Sequence, residues 1–223
     1  MKILIIRHAD PDYERDTLTE KGLFEAELLA RTLQDEKIDD FYLSPLGRAQ
    51  KTAEFILNKK GQTGETLPWL EEFCHLAVNP ITGKKQLLWE MAWESFPALA
   101  RIEPDLVNPQ RWLNSPCIRN STVPQAYKRV TDGLDALLQK YGYERDGDGY
   151  RAVNPSDKTI ALVCHCGVQH IMLAHLLSLA PVLMMKTFYG LPSSVTTLKV
   201  DEYPDGTCAF QCLSYGARKH LSI

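Results

Sequence analysis

Short aliphatic runs alternate with longer amphipathic stretches along most of the 223-residue chain. Ile3-Leu4-Ile5-Ile6 is a run of four aliphatic residues, which predicts a strand buried on both faces, as in a parallel sheet. Arg7 and His8 stand at its C-terminal end, and Pro11 cannot continue a central strand, so the chain leaves the sheet just after His8. A helix is predicted from an N-cap at Thr19, with Glu20 in its first turn and Leu23, Ala26, Ala30 and Leu33 at helical spacing. Asp40 to Leu43 reads as a short strand ended by Ser44-Pro45, followed by a second helix with Ala49, Thr52, Ala53 and Ile56 along one stripe. Leu67 to Phe73 reads as a third strand carrying the carboxylate pair Glu71-Glu72.

Beyond this strand the rhythm of strand and helix breaks, with Pro80, Pro97, Pro104, Pro109, Pro116 and Pro124 as punctuation. Residues from about 74 to 157 therefore read as a partly helical insertion folded over the edge of the core. Within it, Thr122-x-x-Gln125 has the form of a capping box, and Tyr127, Val130, Leu134, Leu137, Leu138 and Tyr141 follow at helical spacing. Trp89, Trp93 and Trp112 read as core of the insertion ahead of the lining of a ligand site, and Tyr143 to Asp157 as a mobile polar loop. The core resumes with a strand over Thr159 to Cys164 and a helix in which Val168, Ile171, Met172, Leu176 and Leu179 share a face. His170 and His175 on that helix read as surface or packing residues. Ser194 to Leu213 holds two runs split by Pro204-Asp205-Gly206, a hairpin signal.

Composition narrows the function classes. With 44% hydrophobic and 24% charged residues and a net charge of −3, the chain has an ordinary soluble composition and no basic footprint for nucleic acid. It has no long apolar run to cross a membrane and no secretory signal pattern, so a cytoplasmic protein is expected. The six cysteines form no paired C-x-x-C framework and read as reduced thiols. Asp146-Gly147-Asp148-Gly149 lacks the twelve-position ligand pattern of a calcium loop, and Asn120-Ser121-Thr122 fits a glycosylation sequon without a route to the secretory pathway.

Candidate chemistry gathers at strand ends. Arg7-His8, Arg48 and His165 each follow an apolar run, and in open α/β sheets ligands bind beyond the carboxyl ends of the strands. Arg48 falls in the first turn of its helix, where the dipole and free N–H groups favour an anion. Phosphoryl transfer needs little beyond positioning and cations around the equatorial oxygens, which two arginines and two histidines converging on one point would supply. Other phosphate chemistries fit worse. Six residues after Cys166 stands Met172, so the cysteine-phosphatase loop lacks its arginine. Clusters of Asp and His for a metal phosphatase and the glycine-lysine signature of a P-loop are both missing.

Five motifs in order carry a resemblance: Arg7-His8; Leu18-Thr19-Glu20-Lys21-Gly22; Ser44-Pro45 through Arg48-Ala49 to Thr52-Ala53; Leu70-Glu71-Glu72; and His165 with Gly167. In these the chain resembles the histidine phosphatase superfamily, also called phosphoglycerate mutase-like. The resemblance implies a three-layer α/β/α sandwich with a mostly parallel central sheet, a single domain over residues 1–223 with the insertion at about 74–157, and no cofactor or metal. It implies a phosphoric monoester hydrolase acting on a small phosphorylated metabolite through a phosphohistidine on His8. Arg7, Arg48 and His165 would hold the phosphate or another oxyanion, His165 would also belong to the catalytic set, and Glu72 would be the acid and base, with Glu71 the fallback. Glu90 and Glu94 are more distant candidates. A mutase-like phosphotransferase and a non-catalytic phosphate-binding protein are the alternatives.

The chain departs from the family pattern at three points. Ala9 replaces the glycine that often follows Arg-His, which requires that this residue avoid positive φ. The histidine matched by His165 is usually followed by two glycines or a similar small pair, and here Cys166 intervenes. Asp10-Pro11-Asp12-Tyr13 does not match the serine and asparagine of the mutase branch. Specificity is expected in the insertion, where Lys84-Lys85 and Arg119 read as solvated surface, and the sequence carries no signal for an oligomeric state.

Overall fold

The computed structural model describes residues 1 to 221, arranged around an eight-stranded sheet. Its strands are β1 (Lys2–Arg7), β2 (Asp40–Leu43), β3 (Glu65–Thr66), β4 (Tyr143–Asp146), β5 (Gly149–Ala152), β6 (Thr159–Cys164), β7 (Val195–Glu202) and β8 (Thr207–Ala217). The spatial order is β3-β2-β6-β1-β7-β8-β5-β4. The pairings β3-β2, β2-β6 and β6-β1 are parallel, and the remaining four are antiparallel. The parallel half places the carboxyl ends of β1, β2 and β6 side by side, with Ile6 opposite Val163 and Val163 opposite Leu43.

Alternation along these strands builds the layers, because successive side chains point to opposite faces. Leu4, Ile6, Phe41, Leu43, Ala161 and Val163 pack against α1 (Glu20–Leu33) and α2 (Gly47–Lys60). Ile3, Ile5, Tyr42, Ile160, Leu162 and Cys164 join the larger core under α3 (Leu88–Ser95), α4 (Val123–Lys140), α5 (Cys166–Leu176) and α6 (Pro181–Thr187). Helix α1 begins as expected, with the Thr19 hydroxyl accepting the Gly22 N–H at 3.0 Å. Leu23 faces solvent, and the buried stripe runs through Ala26, Leu29, Ala30 and Leu33. No helix among the described residues is long and apolar enough to cross a membrane.

Several expectations are corrected. Leu67 to Phe73 is not a strand: pairing stops at Thr66, and Pro68–Leu70 forms a 3-10 turn. Pro68 has no N–H for a ladder, and its fixed φ suits the first position of a helical turn. Tyr143 to Asp157 is not an unstructured loop, because β4 and β5 form a hairpin at the sheet edge around Gly147, whose φ is 58°. Tyr143 and Tyr150 bury their rings in the main core and so anchor the hairpin. Thr122 has helical backbone angles and makes no side-chain cap; the Ser121 hydroxyl accepts the Val123 N–H instead, at 3.1 Å. Helix α5 ends at Leu176, so Leu179 lies beyond it and is exposed. His175 packs as expected, bonded to Asp135 at 2.9 Å.

Candidate active site

Three strand ends deliver the site. His8 follows β1 and is held by its own backbone: its N–H donates to the Cys164 carbonyl at 2.9 Å, and its carbonyl accepts the Ser193 N–H at 2.9 Å. The His8 ring is buried, and Nδ1 lies 2.8 Å from the Ala9 carbonyl oxygen. A carbonyl can only accept, so Nδ1 carries the proton and Nε2 keeps its lone pair. Burial, reinforced by Arg7 and Arg48, lowers the His8 pKa to about 3, which keeps the ring neutral near pH 7. Ala9 is not among the residues with positive φ, so its methyl is accommodated without backbone strain. Its N–H donates to the Thr52 hydroxyl at 3.0 Å, tying the β1 exit to α2.

His165 enters at the end of β6, with its ring centroid 5.0 Å from that of His8. Its Nε2 meets the Ser44 hydroxyl at 2.7 Å, while its buried Nδ1 has no partner within the described chain. Burial comes first among the causes that lower its pKa to about 2, followed by His8, Arg48 and Arg7. Arg7 donates one terminal nitrogen to the Gly190 carbonyl, and Arg48 donates one to Asp16 at 2.6 Å. The Nε atoms of both arginines are buried without a partner among the described residues. Buried donors left unpaired cost free energy, and a site that collects the two arginine Nε–H groups, with His165 Nδ1 a third donor when Ser44 donates to Nε2, can take an acceptor from outside the chain. An oxyanion matches that charge and donor set.

Glu72 is half-buried beside this cluster. Its Oε1 accepts the Phe73 N–H at 2.8 Å and the Val168 N–H, in the first turn of α5, at 3.1 Å. Desolvation raises its pKa above the ordinary carboxylate value, against the lowering pull of these N–H groups and of Arg7 and Arg48. Glu71 points elsewhere and pairs with Arg129 of α4. Glu90 accepts the Leu87 N–H at the start of α3, and Glu94 accepts from Gln86. Lys84, Lys85 and Arg119 are exposed.

A cleft of about 240 Å³ opens from this cluster, lined by Arg7, Tyr13, Glu72, Trp89, Trp93, Cys166, Gly167, His170 and Tyr189. Trp112 is buried core as expected, but Trp89 and Trp93 are cleft wall. His170 is also wall rather than surface, with Nε2 2.8 Å from the Tyr215 hydroxyl. The structure thus brings together Arg7, His8, Arg48, His165 and Glu72. The residues that sequence reasoning gave no role are Asp16, Ser44, Thr52 and Tyr189. Ser44 had a signal, because it directly ends β2 at the same sheet edge; Asp16 had none.

The histidine phosphatase superfamily (branch 1) model matches residues 3–211. No curated protein is significantly similar in sequence. Among solved structures, the chain is similar to a phosphoserine phosphatase from Entamoeba histolytica in complex with 3-phosphoglyceric acid, at 19% identity and a TM-score of 0.64, covering 99% of this chain and 98% of that one. It is similar to a mycobacterial glucosyl-3-phosphoglycerate phosphatase with VO3, at 18% identity and a TM-score of 0.62, covering 97% and 99%. It is also similar to the alpha-ribazole phosphatase of Shigella flexneri, at 22% identity and a TM-score of 0.58, covering 98% and 97%. At such identities these structures speak for the fold alone, while the family model spans nearly the whole chain and includes every strand end that carries the cluster. The chain belongs to the histidine phosphatase superfamily, branch 1.

Proposed function

We propose that this protein hydrolyses a small phosphate monoester through a phosphohistidine on His8. The observation that carries the reading is the fixed His8 tautomer, with a free Nε2 lone pair next to three buried, unpartnered nitrogens of Arg7, Arg48 and His165. His8 Nε2 attacks phosphorus as the bond to the ester oxygen breaks, and Arg7 and Arg48 balance the charge on the equatorial oxygens. With Ser44 donating its hydroxyl hydrogen to Nε2 of His165, the proton of that ring sits on Nδ1 and donates to a phosphoryl oxygen. Glu72, whose pKa burial raises, gives its proton to the departing alkoxide and then takes one from the water that attacks the phosphohistidine. That second step releases inorganic phosphate and restores His8. The arginines provide the positive charge, so the route requires no metal ion.

Related structures bear phosphatase names, and two of them hold 3-phosphoglyceric acid or VO3, which supports a small phosphorylated substrate. In the same reading residues 1–223 form one domain with the stretch at about 74–157 inserted into it, and the protein works in the cytoplasm, a setting that suits six unpaired cysteines.

The test is turnover of a generic aryl phosphate with chelator present. Wild type is expected to hydrolyse it and to trap an acid-labile, base-stable phosphate on His8. His8→Ala is expected to lose both. Glu72→Gln is expected to lose about 10²–10⁴-fold in kcat, the usual scale of general acid catalysis, with the larger loss on poorer leaving groups. An adduct that survives in His8→Ala sinks the assignment. Phosphate binding without turnover favours the mutase-like or binding-protein reading.

A further inference from the structure

We propose that the cleft receives the organic part of a phosphate monoester whose alcohol is uncharged and carries a single ring, seated on Trp89, Trp93, Tyr189 and Tyr13. This rests on the phosphatase reading above and narrows it to a substrate class.

The four rings reach the cleft from three separate segments: Tyr13 after β1, Trp89 and Trp93 one helical turn apart on α3, and Tyr189 after α6. Tyr13, Trp93 and Tyr189 are 67%, 44% and 62% exposed, a degree of solvent contact that large aromatic rings clustered at one mouth rarely have without a ligand or partner. The wall is also fixed in place. The Trp93 indole N–H donates to the Met185 carbonyl at 2.7 Å, and its ring lies 5.8 Å from that of Tyr189. Tyr13 joins this wall to the phosphate site, since the Arg48 guanidinium sits 5.3 Å from its ring centroid.

Charge defines the class further. Of the residues that line the cleft, only Arg7 and Glu72 are ionic, and the reaction uses both. A carboxylate or second phosphate on the substrate would find no cation of its own there. A cationic alcohol would face Arg7 and Arg48, with Glu72 protonated at the acid step. Burial keeps His170 neutral by lowering its pKa to about 4, so it adds no charge to the wall. The volume of about 240 Å³ falls below the range of roughly 300–1,000 Å³ that accommodates drug-sized ligands. It suits one ring.

Binding of non-hydrolysable phosphonates separates this proposal from turnover. Calorimetric titration of the full-length protein is expected to give benzylphosphonate a dissociation constant at least tenfold below those of methylphosphonate, phosphonoacetate and 2-(trimethylammonio)ethylphosphonate. Tyr189→Ala, which removes a surface ring, and Trp93→Leu are each expected to cut the benzyl-to-methyl preference below threefold. A wild-type preference below threefold overturns the proposal. So does tightest binding by the carboxylate or ammonium probe, or a preference that survives in both variants. If no phosphonate binds, the phosphate site and the proposal fail together. If the benzyl preference holds but benzyl phosphate is not hydrolysed, the hydrolase reading fails and the ring subsite stands.

Discussion

Asp16 holds Arg48 through an ion pair. Its carboxylate accepts from Arg48 at 2.6 Å and from the Gly47 N–H at 2.6 Å, and Asp16 itself sits at a φ of 48°. A Cβ on Gly47 would come within 2.1 Å of the Asp16 carbonyl, so the close approach needs glycine there. Because a clamp displaced by about an ångström can cost two orders of magnitude in rate, Asp16→Ala is expected to lower kcat/KM about tenfold, with Asp16→Asn recovering part of it. Tighter phosphate binding in Asp16→Ala would show instead that the carboxylate competes with substrate for Arg48. At this scale the sequence was informative about residue type. Arg7, His8, Arg48 and His165 stood out because each follows an apolar run. The resemblance already put Glu72 ahead of Glu71, and geometry adds that Glu72 meets the start of α5 while Glu71 pairs with Arg129.

Elements place these residues, and the start of α5 illustrates how. Gly167 lies where an added Cβ would meet Glu72 Oε1 at 2.6 Å and the Trp89 ring at 3.1 Å. Gly167→Ala is therefore expected to push Glu72 off the Val168 N–H and to reduce kcat about tenfold or more, while Arg7 and Arg48 still bind phosphate. Steady-state rates beside a phosphate titration check this; unchanged kcat would mean that Glu72 needs no such seat. Element type was legible wherever periodicity was strong, as in β1, β6, α1 and α4. It failed where local chemistry outweighed pattern. Pro68 turned an apolar run into a 3-10 turn, and two buried tyrosines turned a polar stretch into a paired hairpin.

For the whole molecule, the buried histidines couple stability to acidity. His8, His165, His170 and His220 have folded-state pKa values of about 3, 2, 4 and 4, against an ordinary 6.5. Below pH 6.5 the unfolded chain takes up protons that the folded chain refuses, so the stability these groups contribute is lost as pH falls toward those values. Glu72 has the opposite sign, since a raised carboxylate favours folding at low pH and loses that contribution as pH rises through its folded value. These four histidines, joined by the less buried His75, outweigh Glu72 and make the melting temperature fall between pH 7 and pH 5. His8→Gln should make that fall shallower. A flat profile in wild type would show that the rings are solvated or already charged.

The strand ends and what stands on them are written in the order of residues along the chain. A buried strand must be apolar and must stop at a residue that leaves the sheet, so the chain marks β1, β2 and β6 and the arginines and histidines that follow, and its motifs point to the family. The folded backbone settles which proton His8 carries, because a carbonyl of its own neighbour fixes the tautomer. Tertiary packing settles that Ser44 and Asp16 steady His165 and Arg48, and that tryptophans from α3 meet Tyr13 and Tyr189 around one cleft. The first of these contacts is set by the local turn of the backbone after β1, and the others join residues far apart along the chain through packing; periodicity within a single segment encodes neither.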